Sequence, residues 1–354
     1  MTPPFEPRTV LVTGVAGFLG SNLLDRLMAD GHTVIGIDNL SMGRRDNIAH
    51  HFGDPRFQFL ERDCTLPDAY DGIDAVDVVV HLAAFKIPRY GKAIDTLHVN
   101  YRGSDEVLKF AAKTGCKVVL ASTSDVYGKN PEVPFSEESV SVIGSSTVPR
   151  WAYAVSKLFD EHLALAYQES YGFPVVLLRF FGSYGPRQHL TWWGGPQSVF
   201  IAAAMEDRVI PIHGDGLQTR SFTFVTDTVE GIYQATMRDA ANGEIINIGN
   251  DHELTIKELA ERIWGLVRPG ETPKIEYTPY DEIQKGKRYE DVMRRVPVTT
   301  KAQELLGVKA QIDVDEGLAR TIAWQREVTP LRAAEVVDEE SPDSKNPHPE
   351  HPHT

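Results

Sequence analysis

Tyr153 and Lys157 are the two side chains of this sequence whose types and spacing best suit acid–base chemistry. They lie four residues apart in YAVSK, in a stretch from Trp151 onwards with helical polarity, so both side chains lie on one helix face. An ammonium group close to a phenol favours the phenolate and lowers the pKa of the tyrosine towards neutral pH. Tyr153 is therefore predicted to be a base that removes a proton from a hydroxyl group while a hydride leaves the same carbon.

A second group of reactive side chains lies in STSDVYG, residues 122–128. This segment follows a predicted strand at residues 116–121 and carries three hydroxyl groups and one carboxylate. Thr123 is predicted to hold the reacting hydroxyl group by a hydrogen bond. Ser124 and Asp125 are the further catalytic candidates.

The first 38 residues contain the elements that would position this chemistry. Residues 9–12 are apolar and partly β-branched, as in a strand of a parallel sheet. Gly14, Gly17 and Gly20 follow, and glycines at this spacing allow a tight turn, a close approach to a pyrophosphate and close helix packing. A helix at residues 18–29 would direct its first amides at the phosphates.

A second strand at residues 33–37 ends at Asp38, whose carboxylate can accept hydrogen bonds from both adenosine ribose hydroxyls. Asp38 favours NAD over NADP because a 2′-phosphate would meet a like charge. Arg44 and Arg45 lie close enough to keep NADP in consideration. Asp63, after a third strand at residues 57–60, is predicted to accept a bond from the adenine amino group, with a turn or helix cap as the alternative.

Strands and helices continue to alternate, with strands at residues 76–82 and 116–121 and a helix at residues 100–113. This alternation predicts an α/β fold with a Rossmann-type doubly wound parallel sheet and ligands at the carboxyl ends of its strands. We expect residues 1–182 to form the NAD-binding domain, with residues 226–250 returning to it. Residues 183–225 and 251–328 would form a smaller α/β substrate domain.

Composition narrows the function classes. The 354 residues carry a net charge of −14, which argues against a general nucleic-acid or anionic-membrane binder. Cys64 and Cys116 lack metal-ligand spacing, and no metal site is predicted. No apolar run approaches a membrane span or a signal peptide, so a soluble, cytoplasmic protein is expected. Residues 329–354 are acidic, proline-rich and predicted to be disordered, and the tail histidines His348, His351 and His353 could chelate metal only weakly.

Several segments together resemble one known family, the extended short-chain dehydrogenases/reductases that act on nucleotide sugars as epimerases, dehydratases and decarboxylases. The resemblance covers residues 8–326. The matching segments are TGVAGFLGS at 13–21, DNL at 38–40, HLAA at 81–84, Asn100, STSDVYG at 122–128, YAVSK at 153–157, LRFFGSYGPRQ at 178–188, GDGLQTRSFTFVTDTVEGI at 214–232 and INIGN at 246–250.

The resemblance implies roles for these positions. Thr123, Tyr153 and Lys157 would carry the redox step, Lys157 would also contact the nicotinamide ribose, and Asn100 would support the active-site helix. It also implies a homodimer joined through the helices at residues 100–113 and 151–171. The candidate contacts to NAD are Gly14, Gly17, Phe18, Leu19, Gly20, Asp38, Asn39, Asp63, Cys64, Leu82, Ala83, Ala84, Asn100 and Lys157.

The second half of the chain would bind the nucleotide-diphosphate sugar. Arg220 occupies the position where family members hold the diphosphate, and a guanidinium group suits phosphate geometry; a surface ion pair is the alternative. Gly182 and Arg187 are further substrate candidates, although many relatives have asparagine in place of Gly182. Trp192 and Trp193 would either line the pocket or pack an interface.

The reaction that follows oxidation at C4 of the sugar depends on Asp125. Dehydratases and uronate decarboxylases usually have Glu at this position, whereas simple C4-epimerases often have a small or uncharged residue. UDP-glucuronate decarboxylases also resemble PRWAY at 149–153 and GKRYEDVMRRVP at 286–297, in which Arg295 would act near the sugar carboxylate or lie exposed with Arg294. Because Ser124 stands where 4,6-dehydratases often have Asp, we rank decarboxylation first, C4-epimerisation second and dehydration third. A non-catalytic NAD-binding scaffold and a steroid or flavonoid reductase are the remaining alternatives.

Overall fold

The computed structural model describes residues 5–86, 93–283 and 290–339. The strands are β1 (Thr9–Thr13), β2 (Thr33–Asp38), β3 (Phe57–Glu61), β4 (Val78–His81), β5 (Lys117–Thr123), β6 (Val175–Phe180), β7 (Ser183–Tyr184), β8 (Ile210–His213), β9 (Thr219–Ser221), β10 (Thr223–Phe224), β11 (Ile245–Ile248), β12 (Glu253–Thr255), β13 (Ile275–Thr278) and β14 (Arg294–Arg295). The α-helices are α1 (Phe18–Ala29), α2 (Ala93–Thr114), α3 (Trp151–Tyr171), α4 (Pro196–Met205), α5 (Val225–Met237), α6 (Ile256–Val267), α7 (Tyr280–Ile283), α8 (Thr300–Leu306) and α9 (Val314–Glu339).

Seven parallel strands form the large sheet in the order β3-β2-β1-β4-β5-β6-β11. Because successive side chains of a strand point to opposite faces, Val10 and Val12 of β1 pack in one apolar cluster with α1 and α5. Leu11 packs in a second cluster that includes Val107 of α2 and Ala164 of α3. Helices therefore cover both faces of the sheet, and the predicted doubly wound α/β fold is confirmed.

A smaller α/β part carries the three-stranded sheet β12-β9-β14 and the pair β13-β8. Its helices α4 and α6 contribute Phe200, Leu259 and Ile263 to the same apolar cluster that contains Val10 and Val12. The two parts thus share one continuous core.

Two helix boundaries differ from the expectations by several residues. Helix α2 begins at Ala93, seven residues before the expected start, because the intervening residues include no glycine or proline and Asp95 adds a carboxylate to the first turn. Helix α9 continues to Glu339, ten residues beyond Thr329, where the disordered tail is expected to begin; the disorder of the tail stays a prediction. The strong helix formers of LRAAE at 331–335 extend the helix. Residues 340–354, with the three tail histidines, lie outside the described residues.

Candidate active site

The glycine turn between β1 and α1 is packed too closely for side chains. Gly14 has φ +72°, and a Cβ atom there would lie 2.9 Å from the Ala83 amide nitrogen. A Cβ atom on Gly20 would lie 2.0 Å from the Gly14 carbonyl oxygen. Gly17 precedes α1 and provides no side-chain cap, so the first amides of the helix, beginning with Phe18 and Leu19, suit a phosphate group. The turn and the segment Leu82–Ala83–Ala84 after β4 therefore form a cradle that fits a dinucleotide pyrophosphate.

Asp38 ends β2 beside this cradle and is buried. Its Oδ2 accepts the Ala16 amide at 2.9 Å and its Oδ1 accepts the Leu40 amide at 2.8 Å. Burial raises the pKa of Asp38, and the two amide bonds oppose that rise. Each carboxylate oxygen can accept a second bond, so the geometry suits two ribose hydroxyl groups. Arg45 is paired with Glu61 at 3.1 Å, on the β3 side of Asp38.

The remaining adenosine-side candidates make local contacts. Asp63 Oδ1 accepts both the amide and the hydroxyl group of Thr65, at 2.9 and 2.8 Å, which is the turn geometry given above as the alternative interpretation. Cys64 and Cys116 are buried free thiols, and burial raises the pKa of Cys64 to about 12. Asn39 Oδ1 accepts the Ser41 amide at 3.1 Å. The adenine contacts of these residues stay predictions.

Thr123 and Tyr153 meet at the carboxyl end of the sheet. Thr123 is the last residue of β5, Ser124 beside it is buried, and Tyr153 lies in the first turn of α3. Burial raises the pKa of Tyr153, the negative charge of Asp125 raises it further, and a hydrogen bond with Thr123 opposes the rise. The Thr123 hydroxyl group and the Tyr153 phenol are therefore adjacent, as the sequence predicts.

The ammonium group of Lys157 pairs with a residue that the sequence analysis did not name. It donates to Asp160 Oδ2 at 2.9 Å, and both side chains are buried. Asp160 therefore holds the ammonium group in this arrangement, and the expected effect of Lys157 on the pKa of Tyr153 stays a prediction. Sequence reasoning missed Asp160, although its i, i+3 spacing from Lys157 on one helix face was a usable signal.

Asn100 joins three elements of the site. Its Oδ1 accepts the Phe85 amide at 2.7 Å, and its Nδ2 donates to the Ser156 hydroxyl group at 2.9 Å. Ser156 lies on α3 between Tyr153 and Lys157, so Asn100 on α2 fixes the active-site helix to the segment after β4. The predicted support of that helix by Asn100 has this geometric basis.

Arginine and aspartate side chains form a cluster next to Tyr153. Arg295 bonds the carboxylate of Asp125, and Arg150 Nη2 lies 3.6 Å from the same carboxylate. Asp291 Oδ1 accepts from Arg150 at 2.5 Å and from Arg220 at 2.9 Å. We call these five residues the arginine cluster; three positive and two negative charges leave it with a surplus of one positive charge.

Strand pairing brings two of these arginines together. In the parallel pair β14–β9, Arg295 is opposite Arg220, and like charges opposite each other are unfavourable. Burial lowers the pKa of Arg220 to about 10, and repulsion from Arg295 and Arg150 adds to this effect, while Asp291 opposes it. An anionic ligand would relieve that repulsion. Arg294 belongs to the other face of β14 and pairs with Glu253 at 2.8 Å.

The predicted roles of Arg220 and Arg295 are thus compatible with their positions, whereas Arg150 and Asp291 had no role assigned from sequence. Arg150 directly precedes α3, and Asp291 lies in the GKRYEDVMRRVP segment, of which residues 286–289 are outside the described residues. Both segments resemble those of UDP-glucuronate decarboxylases, but neither gave a spacing that pairs Arg150 with Asp291. The contact between Arg150 and Asp291 depends on the packing of α3 against β9 and β14.

Arg187 lies apart from the arginine cluster. It has φ +71°, and its Nη1 is 2.8 Å from Asp25 Oδ2 on α1. The structure therefore does not bring Arg187 together with Arg220 and Arg295. Its expected contact with substrate stays a prediction without a supporting contact.

Gly182 and the two tryptophans complete the substrate side. Gly182 has φ +51°, and a Cβ atom there would lie 2.0 Å from the Ser221 carbonyl oxygen, so this backbone excludes the asparagine of many relatives. Trp192 stacks on His213 with ring centroids 4.4 Å apart and packs against the core. Trp193 contacts Phe85 edge-on at 5.1 Å. Trp192 is thus a packing residue, while Trp193 lies next to the segment that follows β4.

A profile of the NAD dependent epimerase/dehydratase family matches residues 10–249. The chain belongs to this family. It is 35% identical to UDP-N-acetyl-alpha-D-glucosaminuronate decarboxylase of Bacillus cytotoxicus over 323 residues, covering 90% of this chain and 98% of the relative. It is also 36% identical to UDP-glucuronic acid decarboxylase 2 of Arabidopsis thaliana. That match covers 87% of this chain and 66%, just under two thirds, of the plant protein.

Among solved structures, the chain is similar to UDP-glucuronic acid 4-epimerase from Bacillus cereus in complex with UDP-glucuronic acid and NAD. The TM-score is 0.80 at 28% identity, over 90% of this chain and 99% of that chain. The protein is therefore an enzyme of the NAD-dependent, nucleotide-sugar-modifying class. Among the described helices, none is both long and apolar enough to cross a membrane.

Proposed function

We propose that this enzyme oxidises a UDP-uronate at C4 and decarboxylates it, with UDP-glucuronate as the first candidate substrate. The observation that carries the proposal is the pairing of Asp125 with Arg295 beside Tyr153. An acidic residue at this position distinguishes decarboxylases and dehydratases of the resembling group from simple epimerases. The names of the two decarboxylase relatives support the same reaction.

The proposed cofactor is NAD, which fits the glycine cradle and the buried Asp38. The cradle leaves no room for Cβ atoms at Gly14 and Gly20, and Asp38 has acceptor positions for two ribose hydroxyl groups. When bound, NAD⁺ supplies the hydride acceptor and later returns the hydride. A 2′-phosphate, as in NADP, would meet the negative charge of Asp38.

The first step is removal of hydrogen from C4 of the sugar. Thr123 positions the C4 hydroxyl group, and Tyr153 accepts its proton as the C4 hydride leaves, so that a C4 ketone forms. Burial and Asp125 raise the pKa of Tyr153, so that little phenolate is present at neutral pH. The amount of phenolate, and with it the supply of the base, then increases as the pH rises. Lys157 and Asp160 hold each other on the same helix, which fixes the position of the ammonium group.

The second step follows from the chemistry of the ketone. A 4-keto uronate is a β-keto acid, so breaking its C5–C6 bond releases CO2 and moves the electron pair into an enolate at C4 and C5. Protonation at C5 then restores the ketone, and hydride return to C4 with a proton from Tyr153 gives the pentose product. In the proposed step Arg295 binds the sugar carboxylate before it is lost, and Asp125 takes up a proton from solvent and delivers it to C5.

The arginine cluster suits a substrate with two anionic groups. The cluster has a surplus of one positive charge, and burial next to Arg295 and Arg150 disfavours the charged form of Arg220. Both features favour binding of a diphosphate. Arg295 has five N–H donors, of which Asp125 uses only part. A uronate carboxylate can therefore share Arg295 with Asp125.

The second candidate is C4-epimerisation of the same UDP-uronate. It is favoured by the similarity to UDP-glucuronic acid 4-epimerase from Bacillus cereus. In that reaction the C4 ketone would take the hydride back on its other face with the carboxylate still in place. Dehydration ranks third because Ser124 replaces the aspartate that dehydratases often have there.

The exposed apolar faces of α2 and α3 support a homodimer as the working assembly. Tyr101 and Phe159 contact each other across the two helices at 5.7 Å, yet each remains close to half exposed. A second copy of the chain would cover this surface, which also includes Ile94, Leu97 and Val155. Light scattering coupled to gel filtration should give twice the chain mass, and Phe159→Asp should shift it towards one chain.

The test of the proposed function is incubation of the full chain and NAD with UDP-glucuronate, UDP-N-acetylglucosaminuronate, UDP-glucose and UDP-N-acetylglucosamine in parallel. Products are followed by mass spectrometry and proton NMR. Loss of one CO2 from a uronate supports the proposal and identifies the sugar. An unchanged mass with an inverted C4 proton coupling establishes the epimerase instead, and no turnover of any of the four contradicts both.

A further inference from the structure

Asp25, His50 and His51 form a cluster of metal-ligating side chains that the proposed reaction does not use. Asp25 lies on α1, and the two histidines lie in the 3₁₀ helix Ala49–His51 that follows β2. His50 Nε2 is 2.7 Å and His51 Nε2 is 2.8 Å from the same oxygen, Asp25 Oδ1. We propose that these three residues bind one late first-row divalent cation, with Zn²⁺ as the best match. We call them the Asp–His–His site.

The donor set and its dimensions suit that class of ion. The three ligand atoms lie within 4.8 Å of one another. In a tetrahedral site with bonds of about 2.0–2.1 Å, ligand atoms are about 3.3 Å apart. An outward shift of about 0.5 Å from the present contacts would admit the ion. Two imidazoles and one carboxylate are typical zinc ligands and leave a fourth position for water.

The surroundings hold the ligands in place. The other carboxylate oxygen of Asp25 is 2.8 Å from Arg187 Nη1, and a ligating carboxylate with a partner on its second oxygen is the usual arrangement at metal sites. The Asn47 side chain donates to the Ala16 carbonyl at 2.8 Å, which ties the segment before the histidines to the glycine turn. The rings of His51 and Phe57 meet edge-on at 6.1 Å.

The site is accessible, and the charges named around it are balanced before an ion binds. The side chains of Asp25, His50 and His51 are 37%, 47% and 16% exposed, so an ion can enter from solvent. The ionised groups facing the cluster are Arg187 on Asp25 and the nearby Asp54, which is paired with Arg56. One ligand carboxylate and one further acid therefore offset the guanidinium groups.

Occupancy would connect three parts of the cofactor-binding region. Asp25 belongs to the helix that follows the glycine turn, the histidines follow the strand that ends at Asp38, and Arg187 belongs to the segment after β7. A bound ion would link the first two segments directly and the third through the contact of Arg187 with Asp25. Because an ion that binds only the folded chain stabilises it, we expect Zn²⁺ to raise the melting temperature.

The test is a Zn²⁺ titration of the full chain by calorimetry. His348, His351 and His353 are replaced by Gln in every sample, so that the tail cannot contribute. We expect one ion per chain. Because loss of even an outer partner costs about 10- to 100-fold in metal affinity, His51→Gln should weaken binding by about 100-fold or more. The control His252→Gln, at an exposed histidine outside the cluster, should leave the Kd within about twofold.

Two further measurements keep the outcome decisive. Asp25→Asn removes the ligand charge while preserving shape, and it should also abolish both the binding and the Zn²⁺-dependent rise in melting temperature; circular dichroism checks that each variant is folded. Co²⁺ bound in place of Zn²⁺ should give visible absorption bands that His51→Gln removes. Stoichiometric binding that survives both substitutions, or no binding in the tail-substituted chain, would overturn the proposal.

Discussion

Replacing Arg295 by Gln is the perturbation that most directly tests the anionic half of the site. Arg295 lies next to Arg220 on the paired strand and bonds Asp125, and its side chain is only 18% exposed. Arg294, its neighbour in sequence, pairs with Glu253 on the other face of β14 and is 52% exposed. Arg294→Gln is therefore the matched control for Arg295→Gln. Each substitution removes one positive charge from β14, and only Arg295→Gln alters the arginine cluster.

The expected magnitudes follow from these two settings. A hydrogen bond between charged groups at a partly desolvated site contributes about 1.5–3 kcal/mol, and about 1.4 kcal/mol corresponds to tenfold. Arg295→Gln should therefore lower kcat/KM for a UDP-uronate about 10- to 150-fold. The exposed pair of Arg294 is worth about 0.2–1 kcal/mol at most and does not adjoin the cluster. Arg294→Gln should therefore change kcat/KM less than about fivefold.

The assay separates recognition of the carboxylate from recognition of the diphosphate. CO2 release gives kcat/KM, while calorimetry gives the Kd of UDP-glucuronate and of UDP-glucose, which lacks the carboxylate. Arg295→Gln should raise the Kd of UDP-glucuronate and leave the Kd of UDP-glucose within about threefold. Equal losses for both ligands would assign Arg295 to the diphosphate. Equal behaviour of the two arginine variants would refute the reasoning.

Three further outcomes are expected. Tyr153→Phe should lower turnover by about 10²- to 10⁴-fold with unchanged NAD affinity, and kcat/KM of the wild type should rise with pH through the neutral range because the pKa of Tyr153 is raised; a flat pH profile would contradict its role as base. Gly182→Ala should cost about 2–5 kcal/mol in unfolding free energy from its positive φ and a blocked Cβ position, whereas Gly31→Ala, at φ +85° in open space, should cost only about 1–2 kcal/mol; similar urea midpoints would refute the packing argument. Arg179→Met should cost about 3–5 kcal/mol because it leaves buried Glu161 without its ion-pair partner, and urea unfolding of the double variant with Glu161→Leu should recover most of that loss.

Local sequence patterns predicted the parts of the fold that depend on short-range order. Helices α1 and α3 have the predicted bounds, because a glycine turn and apolar periodicity fix the first and a glycine in the left-handed conformation ends the second. The glycine turn, Asp38 and Thr123 could be placed for the same reason, since each follows directly from a strand end. The parallel sheet, which pairs strands far apart in sequence, could also be predicted because strands alternate with helices along the chain.

Side-chain partners across the fold could not be predicted in the same way. The position of Lys157 was clear, yet its bond to Asp160 depends on burial of both groups in the packed interior. Arg150 and Asp291 are 141 residues apart in sequence, and no local pattern joins them. Arg187 follows a tyrosine-glycine-proline segment that resembles a substrate contact, but its backbone conformation directs it to Asp25.

The charge arrangement of the arginine cluster explains why this site would select a doubly anionic sugar nucleotide. Burial of Arg220 next to Arg295 and Arg150 costs free energy in the unliganded enzyme, as the lowered pKa of Arg220 indicates, and two aspartates offset only part of that cost. A diphosphate adds the missing negative charge, whereas a uronate carboxylate must compete with Asp125 for Arg295. Binding would therefore loosen the hold of Arg295 on Asp125, so that Asp125 could take up a proton before CO2 leaves and hold it for C5. A neutral sugar would leave Asp125 engaged and would gain no contact with Arg295, so this contact would favour uronates over neutral sugars.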